Sequence, residues 1–283
     1  MPTHALALVA VAAVLHAGWN TLTKRAGDGF SFLWMSMALA SLLMLPVALA
    51  FEPMTVLRWE SLPFVLASAA IHAAYFASLT AAYRVGDFAL VYPVARGLGV
   101  ALSPPLAALL FGERMSWLGA SGVALVVVGI VLSGLSARAS GLASALAKGG
   151  GYAVLTGLLI AAYTLVDAAA ARRMHPLPYV ALSTLGAVII LAPIARRRGK
   201  LAGEWRANRR TILLASTMNL SGYVLVLLAY RLAKTGYVVA TREVSIVLSA
   251  FVGSVLLGEG HARARMGAAA VILAGVAMVA MAR

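Results

Sequence analysis

The sequence predicts an all-α polytopic membrane protein: ten transmembrane helices in two inverted five-helix repeats. Three observations predict it. The 283 residues are 62% hydrophobic and 11% charged, with a mean hydropathy of +0.93, far more apolar than a soluble domain. Ten apolar runs approach the roughly 20 residues that cross about 30 Å of hydrocarbon. Finally, the stretch 83–113 returns at 230–259. Both copies open on Ala-Tyr-Arg (Ala82-Tyr83-Arg84 and Ala229-Tyr230-Arg231), carry an arginine inside an apolar run (Arg96, Arg242) and close on Gly-Glu (Gly112-Glu113, Gly258-Glu259). The offset is 147 at the tyrosines and 146 at the arginines, so one single-residue gap aligns them. Five helices per half is an odd number, so a chain threading the membrane in order turns the second half upside down. Such inverted repeats hold a binding site near the midplane where the halves meet.

The first run, about 3–23, ends at Lys24-Arg25 with Gly27 and Gly29 as breakers. It lacks a basic n-region, and His16, Trp19 and Asn20 interrupt it, so it reads as a retained helix and not a signal peptide. The second, about 30–51, stops at Glu52-Pro53; the third, about 62–83, leads through 84–87 into the fourth, about 88–111. Short connections of this kind make antiparallel neighbours. The fifth covers about 116–136. ARASGLASALAK, residues 137–148, reads as the linker between an N-terminal half, 1–140, and a C-terminal half, 146–283. The sixth and seventh runs are about 150–168 and 178–195. A long polar stretch, 196–210, then precedes runs of about 211–230, 236–257 and 264–281.

The formal charge of +14 sits in the connections between apolar runs, so the lipid bilayer, with its anionic headgroups, is the expected partner, with no nucleic acid. Summed over alternate loops, fourteen basic residues face seven, which places both termini outside by the positive-inside rule. Zero cysteines remove disulfides, thiolate nucleophiles and cysteine metal sites together. HExxH, GxxxxGK[ST] and GxSxG motifs are missing as well, so no enzyme activity, cofactor or metal is expected.

A charge at bilayer depth costs several kcal/mol on most scales, roughly 3 or more, and marks a functional position by default. Arg96 lies well inside the fourth run, with Pro93 before it and Gly97 and Gly99 after it, a pattern that predicts a bent or locally opened helix. The alternative is an arginine that snorkels, or pairs with a buried carboxylate. Arg242 and Glu243 sit at matching depth in the ninth run. Adjacent helical positions point about 100° apart, so one lines a cavity while the other braces a neighbour. Asp167 ends the sixth run, either as a functional carboxylate or as a helix-end residue near water.

Neutral polar residues fall at helical spacing around these charges. His16 and Asn20 are four apart, with Trp19 beside them. Tyr152, Thr156, Tyr163 and Asp167 form a stripe on the sixth run. His72 and Tyr75 share a face of the third, and Asn219 and Tyr223 one of the eighth. The second, fifth, seventh and tenth runs are largely plain. Small residues in the fifth (Gly119, Ser121, Gly122) and tenth (Gly267, Gly275) allow close helix contact, either with each other or as a homodimer surface.

Ten helices in two repeats, a fourth helix ending in Gly-Glu and a glycine-bearing fifth resemble the EamA-type members of the drug/metabolite transporter superfamily. The segments Leu15-His-Ala-Gly-Trp-Asn20 and Leu159-Ile-Ala-Ala-Tyr-Thr-Leu-Val-Asp167 are similar to the first helices of those repeats. The resemblance implies a secondary transporter, often an exporter, with a central cavity and termini in the cytoplasm, against the loop-charge count. The first helix here has His16 and Asn20 where related four-helix exporters carry a cation-binding glutamate. The expected substrate is therefore a small anionic or zwitterionic metabolite, moved by alternating access across a bacterial cytoplasmic membrane. Arg96 and Arg242 would attract its anionic group. His16, Trp19, Asn20, His72, Tyr75, Tyr92, Tyr163, Asn219 and Tyr223 would line the cavity. Glu243 and Asp167 are the coupling candidates, or neutralise the arginines when the cavity is empty. The alternatives are a lipid-linked or headgroup flippase on the same scaffold, or a non-transporting membrane sensor or assembly subunit.

Overall fold

A computed structural model describes residues 1–51, 59–85, 88–135, 142–251 and 262–282. Glu52-Pro53, Gly86-Asp87, residues 137–141 of the expected linker, the end of the ninth run and Gly258-Glu259 lie outside the described residues, as does the side chain of Tyr92.

The described residues form helices only. In chain order they are α1 (Thr3–Lys24), α2 (Gly29–Phe51), a 3-10 turn (Trp59–Ser61), α3 (Leu62–Val85), α4 (Phe88–Phe111), α5 (Trp117–Leu135), α6 (Leu142–Ala171), α7 (Pro176–Arg198), α8 (Leu201–Leu232), α9 (Thr235–Arg242), α10 (Val244–Phe251) and α11 (Ala262–Met281). Eight of them, α1 to α8, are long and apolar enough to cross a membrane, and α11 contributes a shorter apolar stretch, Met266–Met281. The expected ninth helix is two eight-residue helices, α9 and α10, that meet at Glu243.

Three boundaries differ from the sequence expectation. The supposed linker is already helical from Leu142, because Leu, Ala and Lys are strong helix formers even where no apolar face demands a helix. The polar stretch 196–210 is also mostly helical. Pro176 starts α7 behind an N-capping His175, whose side chain accepts from Leu177 N–H, and Gly199, at φ 65°, ends it. Then α8 begins at Leu201 and kinks at Asn208 (φ −127°, ψ 15°). Finally, α4 runs unbroken from Phe88 to Phe111 with Pro93, Pro104 and Pro105 inside it. The opening expected there occurs in its counterpart, after Arg242.

The helices pack across the two halves. Principal contacts join α1 with α8, α3 with α6, α2 with α7, α2 with α8, α3 with α7, α4 with α6 and α5 with α11. The last pair meets backbone to backbone: a Cβ on Gly122 would lie 2.7 Å from the Gly275 carbonyl oxygen, and one on Gly275 would lie 2.6 Å from that of Gly122. Among these small residues Gly122 and Gly275 meet each other inside the molecule, while Gly267 has nothing within 4 Å of a new Cβ.

Alternate helix directions send residues to two ends of the bundle. One end gathers Glu113, Arg172 and Thr235. Glu113 follows Gly112, whose φ of 65° turns the chain out of α4. Its carboxylate accepts from the Thr235 N–H at 2.8 Å and pairs with Arg172. An acid on the first N–H groups of α9 satisfies donors that the helix cannot. The Gly-Glu ending of the first half is thus a clasp onto the second. At the other end Asp28 accepts from Ser31 N–H at 3.0 Å and pairs with Arg198, while Glu204 accepts from Asp28 N–H at 2.9 Å and from Asn208 at 2.6 Å.

Candidate functional site

Arg96 on α4 and Glu243 between α9 and α10 meet at 2.8 Å, Nη2 to Oε1, with 7% and 2% of their surfaces exposed. The turn at the α9 end places Glu243 there: its N–H bonds to Ala240 O at 3.2 Å, and Ile246 N–H bonds back to Glu243 O at 2.9 Å. Three-residue bonds of this kind tighten the backbone and change its direction. The adjacent Arg242 consequently points elsewhere, its guanidinium 5.9 Å from the centre of the Tyr223 ring. Among the described residues no carboxylate lies within ion-pair distance of Arg242.

Both arginines border one cavity of about 30 Å³, together with His16, Trp19, Asn219 and Tyr223, and with Ala12, Ala13, Gly222, Val226 and Ser245. That is room for about two waters. His16 and Trp19 stand edge to face with ring centres 4.9 Å apart. The cavity lies where α1 and α8 from opposite halves pack together, with α4 and α9 closing it.

A second polar cluster backs onto the same wall. Asp167 of α6 is 0% exposed. Ser68 donates to its Oδ1 at 2.7 Å, Tyr179 donates to the same oxygen, and Tyr223 donates to Oδ2. The helix-end reading of Asp167 is therefore overturned, because α6 continues to Ala171. His72 lies 3.9 Å from Asp167, stacks on Tyr163 at 4.4 Å between ring centres, and has its Nε2 3.3 Å from the Tyr223 hydroxyl. Tyr75 meets Tyr163 edge-on at 5.5 Å. Tyr223 is the shared residue: its hydroxyl belongs to the Asp167 cluster and its ring to the cavity.

The sequence-selected residues thus divide. His16, Trp19, Arg96, Asn219, Tyr223 and Arg242 border the cavity, while His72, Tyr75, Tyr163 and Asp167 form the cluster behind it. Asn20 does not border the cavity; it lies one turn beyond His16 along the same face of α1. Tyr152 points outward at 46% exposure and drops out of the sixth-helix stripe. Sequence reasoning missed Ser68 and Tyr179. Ser68 is one turn from His72 and its Oγ lies 3.2 Å from His72 Nδ1, a spacing that could have found it. Tyr179 lies on the seventh helix, which reads as plain.

Eight apolar helices around an enclosed, charged centre define a multi-pass membrane protein. Residues 147–281 match the model of the EamA-like transporter family, in the half of the chain where the motifs also carry that resemblance. A solved crystal structure of similar fold superposes with a TM-score of 0.76 over 99% of this chain and 97% of its own, at 18% identity. No curated protein matches the chain.

Proposed function

We propose that the chain is a secondary transporter that exports a small anionic or zwitterionic metabolite by alternating access, its anionic group bound by Arg242 beside Arg96. One observation carries this reading: both arginines border a single cavity, and among the described residues an acid, Glu243, lies within ion-pair distance of Arg96 but not of Arg242. A cavity wall with an unmatched guanidinium favours a carboxylate or phosphoryl group. Trp19, Tyr223 and Asn219 would supply apolar contact and neutral hydrogen bonds.

The inverted repeat is part of this proposal, and helix packing supports it. Exchanging first for sixth, second for seventh, third for eighth, fourth for ninth and fifth for tenth helices turns each principal contact into another observed one. Contact of α1 with α8 becomes α6 with α3, and α2 with α8 becomes α7 with α3; α4 with α6 becomes α9 and α10 with α1. Such an exchange is what two similar halves, 1–140 and 146–283, produce around a pseudo-twofold axis.

A space of about 30 Å³ is far below the roughly 300 Å³ of a metabolite pocket, so the halves must part for substrate to enter. The Glu113–Arg172 and Asp28–Arg198 clasps join the halves at both ends and would open in turn. A bacterial cytoplasmic membrane suits this cycle.

Purified protein in liposomes, screened with amino acids, organic acids and phosphorylated metabolites, tests the reading. Arg242→Ala should abolish transport of the substrate found, and Arg242→Lys should retain part of it. Wild-type transport of every such substrate by Arg242→Ala would remove the arginine from the mechanism.

A further inference from the structure

The hydrogen-bond partners around Asp167 allow its protons to be counted. His72 Nδ1 lies 2.9 Å from the Ser68 carbonyl oxygen. A carbonyl only accepts, so Nδ1 carries a hydrogen, and in a neutral imidazole Nε2 is then a bare acceptor. The Tyr223 hydroxyl has one hydrogen and two acceptors in reach, Asp167 Oδ2 and His72 Nε2. With Asp167 ionised and His72 neutral, one of these goes without a donor.

One added proton satisfies both. Placed on Asp167 Oδ2 it donates to the Tyr223 oxygen, freeing Tyr223 to donate to His72. Placed on His72 Nε2 it donates to Tyr223, which donates to Asp167. Either arrangement leaves Ser68 and Tyr179 donating to Oδ1. The groups facing the carboxylate are Ser68 and His72 of α3, Tyr179 of α7 and Tyr223 of α8, with Arg242 of α9 beyond the Tyr223 ring. Among the described residues no lysine or arginine pairs with Asp167, so nothing fixes its charge. Glu243, in contrast, is held by Arg96 at 2.8 Å. The His72 side chain keeps 17% of its surface exposed, so the cluster is not sealed.

We propose that Asp167, His72 and Tyr223 bind one exchangeable proton, and that Tyr223 links this site to the anion site at Arg242. This rests on the transporter reading, and it selects Asp167 over Glu243 as the coupling carboxylate. The proton's position decides which neighbour the Tyr223 hydroxyl serves, and the ring of the same residue faces Arg242 and the cavity.

The test is a pH titration of the full chain in phosphatidylcholine liposomes, followed by infrared difference spectroscopy with no substrate present. In wild type the carboxylic C=O and imidazolium bands should titrate together, as groups coupled by more than about one pH unit do. Asp167→Asn should lose the carboxylic band. Tyr223→Phe, which keeps the ring, should split the response into two independent titrations. Arg242→Gln should raise the midpoint, because removing a nearby cation favours proton binding. The proposal fails if wild type shows neither a carboxylic nor an imidazolium band that titrates, or if Tyr223→Phe titrates as wild type does. A midpoint unmoved in Arg242→Gln overturns the link to the anion site. If Asp167→Asn does not fold, Tyr223→Phe alone decides. Liposomes that carry no anion would remove the transporter reading and leave the titration standing; transport without the titration would remove the proton site alone.

Discussion

Arg96 and Glu243 stand 147 positions apart and meet in a buried ion pair at 2.8 Å. The same interval separates Tyr83 from Tyr230, which open the two similar stretches of sequence. In the duplicated arrangement proposed above Arg96 corresponds to Arg242, the chain neighbour of Glu243, and positions this near to correspondence meet only close to the axis relating the copies. That arrangement puts the pair near the axis, with Arg242 displaced from it by the turn at the end of α9.

Removing one partner of that pair should be costly, because the other charge stays buried. Glu243→Ala is expected to destabilise the protein by about 3–5 kcal/mol. Arg96→Met combined with Glu243→Leu should recover most of the loss, since a well-packed apolar pair of similar volume often replaces a buried ion pair at little cost. Thermal melts of wild type and the two variants in detergent measure this.

Arg242 should behave differently. With no acid in ion-pair distance among the described residues it carries less of the fold, so Arg242→Ala should melt close to wild type while losing the stabilisation that bound anion gives. At a ligand concentration of 100 times Kd that stabilisation is about 2.7 kcal/mol. Paired melts with and without the transported anion separate the two effects.

Asp28 gives a pH prediction. Its hydrogen bond from Arg198 holds the carboxyl at about 2, below its ordinary value, despite partial burial. A depressed folded-state value means that the clasp stabilises fully above the ordinary carboxylate range and is lost as pH falls toward 2. The melting temperature of wild type should exceed that of Asp28→Asn at pH 6, and the gap should close as the pH is lowered from about 4 to about 2. A gap that is constant with pH would show that the clasp contributes nothing.

Close backbone contact between α5 and α11 leaves no room for a side chain. Gly122→Val places its Cβ 2.7 Å from the Gly275 carbonyl oxygen and should destabilise by more than the about 1–3 kcal/mol typical of overpacking. Gly267, with nothing within 4 Å of a new Cβ, is the contrast. Gly267→Ala should be neutral or stabilise by up to about 1 kcal/mol, as chemical or thermal unfolding would show.

The sequence carried the membrane class, the helix order and the charged centre, because a lone arginine in an apolar run has few structural uses. Arg96 and Arg242 stand out on that ground, and His16, Trp19, Asn219 and Tyr223 by their helical spacing. Ser68 has the same spacing to His72 but is lost among alanines, and Tyr179, in a plain helix, carries no signal until Asp167 is placed beside it. Polarity hides a helix in 196–210, where Arg, Glu and Ala extend helices readily outside the bilayer. The break after Arg242 was expected in α4 instead, because prolines mark Pro93, Pro104 and Pro105 and nothing marks Glu243. Its ion pair with Arg96 is a tertiary contact that no local pattern announces.

That break makes the two arms mechanically unequal. One arm beside the centre, α4, is a single continuous helix of 24 residues; the other is divided in its middle, at the residue that grips the first. In the proposed cycle that division is the elbow, so the outward and inward strokes need not be mirror images even where the proposed halves match.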